Sequence, residues 1–322
     1  MISRSRYISI YTTPPLWWDL YRQSKKFFPF LKLILRFILS LFHRKKIGGH
    51  YAVTRSLLHG LNKNKIKYNF NSNIIISKTV IVLSGTETLQ FAITQKKKGK
   101  IQYLIAGPNI SVLPSFDNKI LASKEVDICL VPSKWVKEKY EEDSPELLGR
   151  IKIWAAGVDE IYWSPQNSNI IKYHALIYLK NTNAPIKEVK ELLNQFKIPY
   201  IIIYYGKYSK EQYKESLSRS KFAIFLSQSE SQGLALAEAW AMDVPTFSWN
   251  PGFFKYQNYF FENVSSSPYT TKQTGNLWNS IDELALLIKM YNKKNTYFPR
   301  KWILNNMTDA LCSNNLLSII YH

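Results

Sequence analysis

Cysteine is almost absent from this chain of 322 residues: Cys129 lies inside an apolar run and Cys312 near the end. Neither has metal-ligand spacing, which argues against a disulfide scaffold or a zinc site and fits a reducing compartment. Histidine is sparse too, and His43, His50, His59, His174 and His322 form no metal motif. Acidic residues are missing from one region above all. Residues 1–100 carry 19 Lys and Arg against only Asp19 and Glu87, so +17 of the net charge of +20 belongs to that part. The asymmetry points to an anionic partner there, either a membrane surface or a nucleic acid. A long hydrophobic run is also lacking. Phe30 to Phe42 is nearly all apolar but is interrupted by Lys32 and Arg36, and it falls short of the about 20 residues of a membrane span. It has no small-residue cleavage site of the kind a signal peptide needs.

What is present is enough apolar residue for two domains of ordinary size. Arg6 to Thr12 reads as a first strand, ended by Pro14-Pro15. The insert 16–46 that follows is basic and amphipathic, with Lys32, Arg36, Ser40 and His43 as one thin polar stripe. It is expected to lie in a lipid interface, with Arg44, Lys45 and Lys46 near anionic headgroups. The other reading is a helix packed into the N-terminal domain with its stripe outward. From Gly48-Gly49 a helix begins with Val53, Leu57, Leu58 and Leu61 inward, and strands then alternate with helices. Strands are expected at Thr79–Leu83, Ile101–Ala106, Ile128–Val131, Ala175–Leu179, Tyr200–Tyr205 and Phe222–Leu226. Helices are expected at Glu87–Lys98, from Trp135, at Ile186–Phe196, Lys210–Arg219, Ile281–Met290 and Trp302–Leu317. That alternation predicts α/β architecture with parallel sheets covered on both faces and sites at the carboxyl ends of the strands.

The most informative stretch is Phe225 to Gly252, FLSQSESQGLALAEAWAMDVPTFSWNPG. A strand stops at Ser227, a serine-rich loop runs to Gly233, and a helix starts near Leu234 and ends before Pro245. A helix start offers free backbone N–H groups and the positive end of a dipole, which suit a phosphate or sugar hydroxyl. Glu230 and Glu238 frame that start with seven residues between them, and Ser231, Gly233 and Ala235 are small enough to let a ligand approach the backbone. Either carboxylate alone would ordinarily be a solvated surface charge.

The combination resembles the E-x7-E signature of retaining glycosyltransferases of the GT-B fold, of the family 4 (glycosyl transferases group 1) type. VDICLVPSKWVKEKY and RIKIWAAGVDEIYWSP are similar to the end of the N-terminal domain in the same family. The likeness covers the chain from about Gly48 onward. It implies two Rossmann-like domains facing across a cleft: an acceptor domain over 1–156 and a nucleotide-sugar donor domain over 157–322, whose last helix crosses back. It places Glu230 beside the donor sugar, Glu238 on the ribose, and the backbone of Gly233 and Leu234, with Ser231 nearby, on the diphosphate. Lys180 is the implied cation after the first strand of the donor domain, and Lys187 or Lys207 the second. Gly48, Gly49 and His50 correspond to a loop at the edge of the cleft, and Gly157, Val158 and Asp159 to the crossing. The chain departs from the family in having Asp243 where Gly is usual, and Asp tolerates the left-handed backbone required there. It also lacks a His near LIAGPNI.

The resemblance implies a metal-independent hexosyltransferase with no cofactor, its donor a nucleotide diphosphate sugar. The acceptor is expected to be a hydroxyl on a lipid-linked glycan or polysaccharide of the cell envelope. The enzyme is expected to be cytoplasmic and peripheral at the anionic inner face of the membrane. A DNA-modifying glycosyltransferase is disfavoured because the insert is rich in Phe and Leu, whereas nucleic-acid faces favour cations and stacked aromatics. A non-catalytic GT-B binding module is the third reading, and the intact Glu230, Gly233 and Glu238 weigh against it.

Overall fold

A computed structural model describes residues 7–13, 49–72, 74–165, 174–180 and 183–321. The insert 16–46, Pro14-Pro15 and Gly48 lie outside the described residues. The chain forms two compact units, one of residues 1–54 and 67–129, the other of 55–66 and 130–322. Helix α1 (Gly49–Lys63) contributes to both.

The first sheet is built on β1 (Ile8–Tyr11), β2 (Tyr68–Phe70), β3 (Thr79–Ser84), β4 (Tyr103–Asn109), β5 (Ile128–Val131) and β6 (Ile151–Ile153), in the order β2-β1-β3-β4-β5-β6. Its pairings from β2 through β5 are parallel. Ile8, Ile10 and Val80 through Leu83 are fully buried. Unbroken apolar runs of this kind are what a strand covered on both faces requires. Strand β4 runs on through Gly107-Pro108 to Asn109, beyond the expected stop at Ala106, and a register shift opposite Val82 and Ser84 accommodates the extension. Helices α2 (Thr86–Lys97) and α3 (Lys134–Asp143) follow β3 and β5.

The second sheet contains β7 (His174–Leu179), β8 (Tyr200–Tyr204), β9 (Ser220–Leu226), β10 (Thr246–Trp249) and β13 (Gly275–Trp278), ordered β13-β10-β9-β7-β8 with every pairing parallel. Side chains alternate across it as a pleat dictates. Leu176, Tyr178, Ala223 and Phe225 face a core completed by Tyr213 and Leu217 of α5 (Lys210–Ser218) and by Leu236, Ala237 and Trp240 of α6 (Leu234–Ala241). Ala175, Ile177, Phe222 and Ile224 face the opposite core with Val189, Leu192 and Leu193 of α4 (Ile186–Gln195) and Leu284 and Ile288 of α7 (Ile281–Lys293). Two helix starts are fixed by reciprocal capping boxes, Ser209 with Gln212 at α5 and Ser280 with Glu283 at α7. Strands β11 (Phe253–Tyr256) and β12 (Tyr259–Glu262) form a separate antiparallel hairpin.

The single helix expected over Trp302–Leu317 is two, α8 (Pro299–Asn306) and α9 (Asp309–Tyr321). The break has a cause in the Gly-Val-Asp turn. Val158 donates its N–H to the Met307 carbonyl at 2.9 Å and accepts from the Asp309 N–H at 3.1 Å, so the backbone at 307–309 bonds to that turn instead of continuing the helix.

Candidate active site

Strand order marks a candidate position before any side chain is considered. In the second sheet the chain leaves β7 for β8 on one side, then returns through β9 to β10 on the other. Loops that diverge at such a switch point leave a crevice at the carboxyl ends of the strands. Lys180 follows β7, and Ser227 through Gly233 follow β9. The two loops are tied at their base, where the Lys180 N–H donates to the Leu226 carbonyl at 3.1 Å.

Lys180 and Glu230, assigned separate roles by resemblance, form one unit. The Lys180 ammonium donates to Oε1 and Oε2 of Glu230, each at 2.9 Å, and lies 5.0 Å from the centre of the Tyr205 ring. Ser227 Oγ adds a bond to Glu230 Oε1 at 3.0 Å. The Glu230 backbone is held as firmly, its N–H on the Ser265 carbonyl at 2.9 Å and its carbonyl on Trp135 Nε1 at 3.0 Å. Side chain and main chain of Glu230 are thus both held by hydrogen bonds.

Gly233 ends the loop in the left-handed region at φ 84°, and its side-chain-free position leaves the start of α6 without a side-chain cap. Its carbonyl accepts the Ala237 N–H at 3.1 Å, the first bond of the helix. The N–H groups of Leu234, Ala235 and Leu236 therefore form the positive end of the helix dipole beside the Lys180–Glu230 pair. Gln232 braces this loop from below, bonding both the N–H (3.0 Å) and the carbonyl (2.7 Å) of Ala156.

Glu238, one turn into α6, is half-buried. Desolvation pushes its carboxyl up to about 7, against the attraction of Lys210 and Arg55 and a hydrogen bond with the Trp163 side chain. Lys210 is lowered from the usual ammonium range by burial first and by Arg55 second. Its Nζ stands 3.8 Å from the centre of the Tyr162 ring and 5.0 Å from that of Trp163. Glu238 thus lies beside two cations and an aromatic wall, in a setting distinct from that of Glu230.

The remaining candidates are more dispersed. Ser231 is exposed on the loop itself. Lys187, in the first turn of α4, and Lys207, 5.9 Å from the Tyr204 ring centre, are exposed, and neither is bonded to Lys180 or Glu230. Gly49 and His50 occupy the exposed first turn of α1 in the first unit. Gly157 is buried in backbone packing: a Cβ there would stand 2.5 Å from the Cα of Asp309. Asp159 Oδ1 accepts the N–H groups of Ile161 and Tyr162 at 3.2 and 3.1 Å, so both members of the turn have structural work within the second unit. Asp243 takes the left-handed backbone at φ 59° as expected, and its Oδ1 accepts the Arg300 N–H at the start of α8.

Several partners were not visible in the sequence. Trp135 and Ser265 lie 95 and 35 positions from Glu230, and no periodic pattern links them to it. Arg300 donates to the carbonyls of Trp163, Ala241 and Glu160, closing the end of α6. His59 Nδ1 and Ser56 Oγ hold the two oxygens of the buried Asp309 at 2.6 and 2.7 Å.

No protein-family model matches the sequence, and no curated protein matches it. Solved structures do. The apo form of the lipopolysaccharide outer core galactosyltransferase WaaB matches with a TM-score of 0.60 at 13% identity, over 98% of this chain and 99% of its own. AviGT4, a glycosyltransferase involved in avilamycin A biosynthesis, matches at 0.55 and 8% identity, over 98% and 96%. The pneumococcal O-GlcNAc transferase GtfA in complex with UDP and GlcNAc matches at 0.50 and 13% identity, over 75% of this chain and 56% of its own. At such identities the likeness establishes the fold. The chain has the GT-B architecture of two Rossmann-like α/β units.

Proposed function

We propose that the protein is a retaining glycosyltransferase that takes a hexose from a nucleotide diphosphate sugar. The observation that carries this reading is the Lys180–Glu230 pair at the switch point of the second sheet, beside the uncapped start of α6. Such a site supplies what the reaction demands. As the bond from the anomeric carbon to the diphosphate breaks, the electron pair goes to a phosphate oxygen, and the growing charge is met by an ammonium and helix-terminal amides. No metal is needed for that step. In this reading Glu230 accepts hydroxyls of the transferred sugar while Lys180 turns to the diphosphate. Glu238 accepts ribose hydroxyls. Ser231 lines the diphosphate path, and Lys187 or Lys207 adds a second cation when the donor is bound. The acceptor oxygen bonds to the anomeric carbon on the face the diphosphate leaves, and its proton passes to the departing phosphate.

The reacting hydroxyl of the acceptor belongs, in this reading, to residues 1–156, with Gly48, Gly49 and His50 at its edge, and the donor to 157–322. A lipid-linked or polysaccharide hydroxyl at the cytoplasmic face of an anionic membrane fits the basic insert 16–46. No helix among the described residues is long and apolar enough to cross a membrane. Support for sugar transfer comes from the shared fold and from the site's chemistry together.

The test is titration of the purified protein with UDP-, GDP- and other nucleotide sugars, with donor hydrolysis as readout, alongside Glu230→Ala and Glu238→Ala. Binding of one nucleotide class, with turnover lost in the first variant and affinity lost in the second, is expected. If no nucleotide binds, or both variants bind and turn over normally, the assignment is wrong.

A further inference from the structure

The hairpin β11–β12 is not accounted for by donor chemistry. Six of its residues are aromatic: Phe253, Phe254, Tyr256, Tyr259, Phe260 and Phe261. It belongs to neither main sheet. A lone two-stranded hairpin is marginal in water, and aromatic side chains left exposed on one call for a partner. The register opposes Phe253 to Glu262 and Lys255 to Phe260, so these four share one face, and all four are exposed. On that face the Phe253 and Phe260 rings stand 5.6 Å apart and within 25° of parallel, with 39% and 59% of each residue open to solvent. The other face is half-buried except Tyr259, and carries the stacked pair Phe254–Phe261 at 6.0 Å.

Two observations decide what this face would take. Its charges cancel, Lys255 against Glu262, in a chain of net charge +20. A phosphate backbone or an anionic lipid surface would be met by cations. A neutral ligand rich in hydroxyls fits better: the C–H face of a pyranose stacks on an aromatic ring, while Lys255 and Glu262 are within reach of hydroxyls on either side. The hairpin is also rooted in the candidate site. Val264 closes its base on the Gly252 carbonyl at 3.3 Å, and the next residue, Ser265, holds the Glu230 N–H. Asn250, at the other stem, accepts the Ser266 N–H at 2.9 Å. The platform is therefore continuous with the loop that carries Glu230.

We infer that the Phe253–Phe260 face of the hairpin is a glycan-binding platform that holds a neutral oligosaccharide segment of the acceptor, outside the donor site. This rests on the reading of the protein as a sugar transferase. The experiment uses the full chain and the variant Phe253→Ser/Phe260→Ser, which leaves the half-buried face untouched. Binding of maltohexaose and cellohexaose is measured by calorimetry, binding of UDP and GDP in parallel, and flotation with phosphatidylcholine vesicles as a third arm. We expect the wild type to bind one of the oligosaccharides and the variant to bind it at least about tenfold more weakly, with nucleotide affinity and melting temperature unchanged. If the wild type binds a nucleotide but neither oligosaccharide, or the variant retains full affinity, the platform is refuted while sugar transfer stands. Loss of vesicle flotation in the variant without loss of saccharide binding makes the face a lipid contact and also refutes it. Absence of nucleotide binding refutes the transferase reading, and this inference with it.

Discussion

Lys180 carries the cation of the proposed chemistry, yet among the described residues its side chain makes a single ion pair. Its ion pair with Glu230 is partly open to water, and pairs of that kind contribute about 1 kcal/mol or less. Ser227 and the backbone would still hold Glu230 without it. Lys180→Ala is therefore expected to leave the denaturation midpoint almost unchanged while lowering turnover by about two to three orders of magnitude, the usual cost of removing one group that stabilises a departing anion. Steady-state kinetics beside urea unfolding would check both halves. Glu238 gives the opposite pairing of effects with pH. Its carboxyl is raised by desolvation to about 7, so between its ordinary value and about 7 the native state holds a proton that the unfolded chain has released. Stability contributed by this group is thus greatest at low pH and falls as pH rises through that window. Nucleotide affinity should move the other way, because an ionised carboxylate accepts ribose hydroxyls more strongly than the neutral acid. Affinity is expected to tighten as pH rises through about 7, and Glu238→Gln to flatten that profile, as calorimetry across the range would show.

Among the elements, the turn at Gly157-Val158-Asp159, expected at the crossing between domains, bonds the backbone at 307–309. A Cβ on Gly157 would stand within 2.6 Å of the Thr308 and Asp309 backbone, which has no flexible end to give way. Gly157→Ala should cost about 2 kcal/mol or more of stability by overpacking, whereas Gly49→Ala, with nothing within 4 Å, should be close to neutral. Chemical denaturation of the two variants would distinguish them. The same turn explains where the sequence stopped being legible. Strands β3, β5, β7 and β9 and helices α2, α4, α5 and α7 lie within a few residues of expectation, since their apolar periodicity is written locally. The break between α8 and α9 is not local, because it is made by Val158, some 150 positions away, so Trp302–Leu317 looked continuous. The site divides in the same way. Glu230, Gly233 and Glu238 sit on one short segment and could be read together, while the Lys180 pairing, Trp135, Ser265 and Arg300 reach them only through tertiary packing.

At the scale of the whole molecule, the distribution of charge makes a separate demand. The first 100 residues hold +17 of the chain's +20, and in the proposed reading that field attracts an anionic surface over a distance set by salt. Electrostatics and apolar insertion make different predictions. Each Lys or Arg near an anionic membrane contributes about 1 kcal/mol, and at about 1 M salt screening reduces the reach of that attraction to about 3 Å. Burial of the Phe30–Phe42 side chains in the lipid boundary is insensitive to salt. Flotation with phosphatidylserine-containing vesicles should accordingly be strong at low ionic strength, weaker but still measurable at high, and absent at both after deletion of residues 16–46. Complete release by salt would mean that the basic residues act alone and that Phe30–Phe42 packs against protein. Flotation of the folded deletion variant at wild-type levels would remove the insert from membrane binding altogether and shift that role to the other basic residues of the first 100.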